Sequence, residues 1–306
     1  MHNLVKLFFE KRVISTDIEM NKPLHNAILY LEESNKIVEK LFKDNTRKID
    51  KHPAWSSMYD MYYRSYDHAC GALSLFIIGQ FRSSEALCRT AIESSVNLHY
   101  ISLDDSTEKL IAYFKDYIET EKKQNVQWKN SVKTSSYPVE AKKLHESKIL
   151  DKDKAMEHYE KILKESFSLS NVDYDSNNTK CPNIFERFCY IKDEVSYRTI
   201  YLGLCSQAHS DPEDIINDLM TRVIDNVDGL EKAMFLQQYH FALYMILTII
   251  QFHILASAIF VAKFGIDAKK VTQLYIKTTK LLVEFLENMD DNITQNIAFN
   301  LKSNKS

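Results

Sequence analysis

The run Ala233-Met234-Phe235-Leu236-Gln237-Gln238-Tyr239-His240-Phe241-Ala242-Leu243-Tyr244-Met245-Ile246-Leu247-Thr248-Ile249-Ile250-Gln251-Phe252-His253-Ile254-Leu255-Ala256-Ser257-Ala258-Ile259-Phe260-Val261-Ala262 contains no Asp, Glu, Lys or Arg, and Lys232 and Lys263 bracket it. About thirty such residues exceed the length a helix needs to cross a bilayer. Gln237, Gln238, His240, Gln251 and His253 argue against lipid, because polar side chains are expensive there unless buried in protein. A helix that is apolar all round is also what the centre of a large soluble bundle requires. The stretch therefore fits a buried central helix, which we expect, with a membrane-inserted helix as the alternative.

Composition points the same way. The chain has 306 residues with Gly 5 and Pro 5, which leaves little material for the turns of a many-stranded β fold. The expected fold class is all-α: a multi-helix bundle with long antiparallel helices and a charged helical insertion. A net charge of -3 and a pI near 6.4 give no overall electrostatic reason to expect nucleic acid, although they leave room for a local basic patch. Five cysteines (Cys70, Cys88, Cys181, Cys189, Cys205) form no C-x-x-C pair and no zinc-type spacing, so we expect a reducing compartment and mostly buried thiols. The apolar core of Met1–Glu10 is too short for a secretory signal. The expected location is the cytoplasm, or the inner membrane if Ala233–Ala262 inserts.

Outward from the apolar run, helical periodicity covers most of the chain. Pro23 suits the first turn of a helix to about Leu41. His52-Pro53 opens a long aromatic helix that Gly79 can stop, and a further helix follows to about Ile101, so the pair forms an αα-hairpin. Residues 104–165 are rich in Lys and Glu and read as two solvated amphipathic helices separated near Ser135-Ser136-Tyr137-Pro138. Residues 168–178 read as a loop. Single helices are expected over Asn183–His209 and Pro212–Lys263, the second broken near Gly229, and a last one over Ala268–Met289 with Asn292 onward frayed. The implied organisation is an N-terminal helical segment (1–50), a main bundle (51–290) carrying the charged insertion (about 104–180), and a flexible tail (291–306).

Two polar groups stand out on these helices. In Phe81–Asn97, Glu85, Arg89, Glu93 and Asn97 recur every fourth position and lie on one stripe, while Leu87, Ala91, Ile92 and Val96 cover much of the rest. In the second group Tyr197, Tyr201, Cys205 and His209 share a helical face, with Ser206 one turn before His209. Asp211 and Pro212 can start the next helix, so His209 falls near a helix C-terminus, whose negative potential favours imidazolium. Each group also has a structural reading. Glu85–Arg89 and Arg89–Glu93 can be i,i+4 ion pairs or a buried clamp between helices, and His209 can be a capping residue. If the groups meet, a carboxylate can orient His209, Arg89 can hold an anion, and Tyr201 or Ser206 can add donors. The chain has no G-x-x-x-x-G-K loop, no G-x-S-x-G elbow, no H-E-x-x-H and no pair of Glu-x-x-His motifs, so neither a metal nor a cofactor is expected.

At these residues the sequence resembles a family of helical, mainly bacterial proteins known only as a domain of unknown function. The resemblance rests on Gly79-Gln80-Phe81, Ala86-Leu87-Cys88-Arg89-Thr90-Ala91-Ile92-Glu93 and Asn97-Leu98-His99-Tyr100-Ile101. An Arg-x-x-x-Glu helix and a later Tyr…Ser-x-x-His helix are the family pattern, matched by Tyr201, Ser206 and His209, over roughly residues 60–260. More distantly the chain resembles the HEPN group of helical toxins and defence nucleases. That resemblance implies dimers that cleave RNA without metal through an Arg-x(4–6)-His motif. Arg198 stands too far upstream of His209 for this spacing, and Arg89 from the neighbouring helix is the candidate substitute.

Three functions follow as expectations. The first is a HEPN-like ribonuclease of bacterial stress or phage defence, with His209, Arg89 and Glu93 as catalytic residues supported by Glu85, Asn97, Tyr201 and Ser206. RNA and a second copy or another protein are the partners it implies. The second is a non-catalytic interaction or sensor protein in which the polar groups form a clamp or a small-ligand pocket. The third is a membrane-associated effector using Ala233–Ala262.

Overall fold

The computed structural model describes residues 2–12, 14, 20–50, 55–104, 107–169, 171–207, 216, 219 and 230–303, with side chains described except at 206, 207, 230–234 and 289–303. The protein is all-α, with no strand among the described residues. Its helices are α1 (Asn3–Lys11), α2 (Lys22–Asp44), the single turn α3 (Thr46–Ile49), α4 (Trp55–Ile77), α5 (Phe81–Ile101), α6 (Glu108–Thr134), α7 (Val139–Ser168) and α8 (Ile184–Tyr190). Then come α9 (Glu194–Ser196), a π-helical turn (Tyr197–Tyr201), α10 (Leu202–Gln207), α11 (Leu230–Lys263) and α12 (Lys269–Ser303). The chain divides into two compact units, one of Met1–Thr46, Met58–Leu103 and Ile184–Ser306, the other of Arg47–Ser57 and Asp104–Asn183.

Local chemistry sets the ends of these helices. Asn21 caps α2 by accepting the Leu24 amide at 2.9 Å, and Pro23 sits in the first turn where its missing N–H costs nothing. At the end of α4 the Gln80 amide reaches the Leu75 carbonyl and the Gly79 amide reaches the Phe76 carbonyl, a Schellman closure. It requires a left-handed residue, and Gly79 supplies it at φ 80°. The hairpin that follows packs tightly: a Cβ on Gly71 of α4 would stand 2.9 Å from Leu87 Cδ2 of α5. The expected single helix over Asn183–His209 is instead broken. Lys192 adopts φ 61°, closing α8 with Asp193 N to Phe188 O and Lys192 N to Cys189 O, and Asp193 then caps the next helix through Ser196 N. Helix backbone also runs past Asn292 to Ser303, through the stretch expected to fray.

In the first unit α11 is the central element. It packs against α2, α5 and α12, and its Phe235–Lys263 stretch is long and apolar enough to cross a membrane by length and composition, yet the most apolar window is 78% buried within the protein. The polar residues of this helix find partners in its neighbours. Gln251 Nε2 donates to Thr279 Oγ1 of α12 at 2.8 Å, and His253 Nδ1 lies 2.9 Å from Ser65 Oγ of α4, which is itself 2.8 Å from Ser95 Oγ of α5. Buried polar groups persist only when bonded in this way. A second polar seam joins α4 to α2, where Tyr62 and Tyr66 donate to Asn35 and Glu32. Only Cys70 and Cys88 of the five thiols are fully buried; Cys189 is exposed and Cys181 and Cys205 are half-buried, contrary to the expectation of mostly buried cysteines.

The second unit contains the charged hairpin of α6 and α7. Ile111, Ile118, Asn125 and Val132 are buried at seven-residue spacing on α6, and Ile149 and Met156 at the same spacing on α7. Such a heptad seam is that of a short antiparallel coiled coil. Asn125 Nδ2 donates to Asp153 Oδ1 at 2.8 Å, and Lys122 pairs with Glu160, which fixes the register. Lys115 Nζ and Asn177 Nδ2 bond backbone carbonyls of Asn177 and Glu108, holding the loop after α7 against α6.

Candidate functional site

The stripe on α5 is neither wholly buried nor wholly exposed. Glu85 and Asn97 at its ends are buried, while Arg89 and Glu93 between them are half-buried. An α-helical stripe drifts around the helix because four residues overshoot one turn. The drift carries Asn97 under α8, where Arg187 Nη1 donates to Asn97 Oδ1 at 2.6 Å with both residues nearly sealed from water. It carries Arg89 and Glu93 toward the π-helical turn. There the Tyr201 hydroxyl donates to Glu93 Oε2 at 3.1 Å across 108 residues of sequence.

Arg89 does not make the i,i+4 ion pairs its spacing allows; among the described residues it forms none. Its guanidinium hydrogen-bonds the Tyr201 side chain and lies 5.7 Å from that ring's centroid. The Tyr201 hydrogen bond, with weaker contributions from Cys205 and Glu93, raises the Arg89 pKa, so the guanidinium is charged at any ordinary pH. Burial pushes the Tyr201 phenol up to about 12; the Arg89 contact opposes that shift and the Glu93 carboxylate adds to it. Tyr201 therefore stays protonated at neutral pH and relays a bond from cation to carboxylate.

The π-helical turn explains how Tyr201 reaches α5. Leu202 N bonds Tyr197 O, five residues back, and such a turn turns out one extra residue relative to an α-helix. Tyr197 and Tyr201 stack at 5.5 Å, Phe188 of α8 packs on both, and Arg198 is drawn outward to Glu194 and the Phe185 ring. Arg198 is thus an exposed stacking residue on the face away from Glu93. Ser206 lies in the last turn of α10, its side chain outside the described residues, and His209 lies outside them altogether. Among the described residues no group of three His, Cys, Asp or Glu is arranged to hold a metal ion.

The polar stripe, the aromatic turn and the helices that join them fall within one recognisable stretch of sequence. Residues 56–227 match the model of a family of unknown function, DUF5677. The chain belongs to that family. The DUF5677 match takes in α4, α5, the charged hairpin, the π-helical turn and His209, while α1, α2, α11 and α12 lie outside it. No curated protein and no solved structure matches the chain.

Two parts of this DUF5677 site went unnoticed in the sequence. Arg187, the partner of Asn97, gave no periodic signal because the short helix α8 carries it alone. His68 of α4, half-buried and 2.9 Å from Ser94 Oγ on α5, sits beside the stripe because the hairpin packs so closely. The hairpin expected from Gly79 was the available clue to that second pairing.

Proposed function

We propose that this DUF5677 protein acts on RNA in the cytoplasm as a metal-independent, HEPN-like ribonuclease of stress or phage defence. The observation that carries the reading is Arg89: a half-exposed guanidinium held by a neutral phenol instead of a carboxylate, so its charge is available to a phosphate. Glu93, fixed by Tyr201, is the carboxylate of the site, and His209, two residues beyond α10, is the acid/base group. Purified protein is expected to cleave RNA in excess EDTA, with Arg89→Ala and His209→Ala inactive at unchanged melting temperature. Intact RNA across a broad panel of single- and double-stranded substrates would falsify the proposal.

A second reading, a non-catalytic protein in which the stripe is a clamp between helices, is favoured by the buried Asn97–Arg187 bond. It predicts that Asn97→Ala lowers stability by about 1–3 kcal/mol, because a bond to a buried guanidinium is lost. Urea denaturation checks this, and an unchanged midpoint removes the clamp.

A further inference from the structure

Arg89, Thr90, Glu93 and Ser94 occupy positions i, i+1, i+4 and i+5 of α5, which adjoin on a helix surface. Thr90 is exposed and the other three are half-buried, so the four tile one strip that faces solvent. Arg89 and Glu93 form one edge, bounded by the Tyr201 phenol. Thr90 and Ser94 form the other edge, bounded by His68 of α4 through the contact between Nδ1 and Ser94 Oγ. The result is a trough floored by Thr90, with an imidazole on one wall and a phenol and guanidinium on the other.

The hydrogen bonds also fix which imidazole nitrogen is basic. The Ser94 hydroxyl donates to the Thr90 carbonyl at 2.8 Å. A hydroxyl has one proton to give, so at His68 it accepts, and Nδ1 carries the ring hydrogen. The lone pair is then on Nε2, for which no partner exists among the described residues. Desolvation lowers the His68 pKa, Asp67 opposes that shift and Arg64 adds to it, so the ring is neutral at pH 7. A neutral imidazole with an oriented free nitrogen is what general-base catalysis needs.

We propose that His68 is a catalytic base of this site and that the trough between His68 and Tyr201 receives the ribose phosphate of an RNA chain; the inference rests on the ribonuclease reading. His68 Nε2 takes the proton of the 2′-hydroxyl as the 2′-oxygen forms its bond to phosphorus. The bond from phosphorus to the 5′-oxygen breaks, and the departing oxygen takes a proton from the imidazolium of His209. Arg89 offsets the charge on the phosphoryl oxygens.

Protein labelled with ¹⁵N in its histidine rings tests both parts. Inorganic phosphate is expected to move the His68 Nε2 resonance in the wild type and in His209→Ala, and Arg89→Ala to abolish the movement. In EDTA, His68→Ala and His68→Gln are expected to lower kcat for RNA cleavage by about 10²–10⁴-fold. Ser94→Ala, which releases the tautomer, lowers kcat with KM little changed. Wild-type rates in His68→Ala overturn the assignment, and an inactive His209→Ala beside them leaves the ribonuclease reading standing. If the wild type cleaves no RNA, that reading fails and the phosphate titration decides the trough alone: an unmoved His68 resonance overturns it, and movement lost in Arg89→Ala sustains it as an anion site.

Discussion

Tyr201 is the residue on which the site's geometry turns, since it meets Arg89 and Glu93 together. Tyr201→Phe keeps the ring packing and removes the hydroxyl bonds, and is expected to cost about 1 kcal/mol in a denaturant titration. The same phenol gives an alkaline signature. Its folded pKa is raised from 10.0 to about 12, so its stabilising effect is complete below pH 10 and is lost as pH rises from 10 toward 12. Tyr201→Phe is expected to flatten the fall in melting temperature over that window. Arg89 and Glu93 were legible in the sequence because a four-residue recurrence is a local property. Their partner was not, because an ion pair along the helix and a bond to a distant phenol satisfy the same spacing.

At the scale of elements, helix ends decide where the side chains point. The Gly79 closure sets the α4–α5 hairpin that places His68 beside Ser94. Gly79→Ala forces a Cβ into a left-handed backbone and is expected to cost about 1–2 kcal/mol, read from thermal melts; an unchanged melt would mean the turn relaxes. Gly79 was readable from sequence, as were the breaks at Ser135–Pro138 and the N-terminal Pro23. Lys192 was not. A lysine in the left-handed region carries no compositional mark, so α8 and α9 read as one helix, although Asp193-Glu194 is a cap signal in retrospect. The π-helical turn was equally silent: the sequence spacing of Tyr197 and Tyr201 suits either helix type.

At the scale of the molecule, the first unit is a bundle around an apolar helix that holds a buried histidine. His253 is drawn down to about 3 and His99 to about 4, both by burial. Each is therefore neutral when folded and titrates near 6.5 when unfolded. The sign follows: their stabilising effect is complete above pH 6.5 and is lost as pH falls toward 4, because the unfolded chain takes up protons the folded one refuses. Melting temperature is expected to fall steeply between pH 6.5 and 4, and His99→Asn is expected to reduce that slope. A flat profile for the wild type would contradict the burial of both rings.

Sequence by itself determined the helical class, most helix boundaries, the stripe Glu85–Arg89–Glu93–Asn97 and membership of a helical family, all of which rest on local periodicity and residue chemistry. Only the tertiary structure decided that Ala233–Ala262 is covered by other helices, that Asn97 meets Arg187, and that His68 and Tyr201 flank Arg89 and Glu93. The physical reason is the range of the forces. Backbone propensity and i,i+4 contacts act within one turn, whereas the desolvation that pairs a buried asparagine with arginine, or turns a guanidinium from its neighbouring carboxylate to a distant phenol, exists only once the helices have packed.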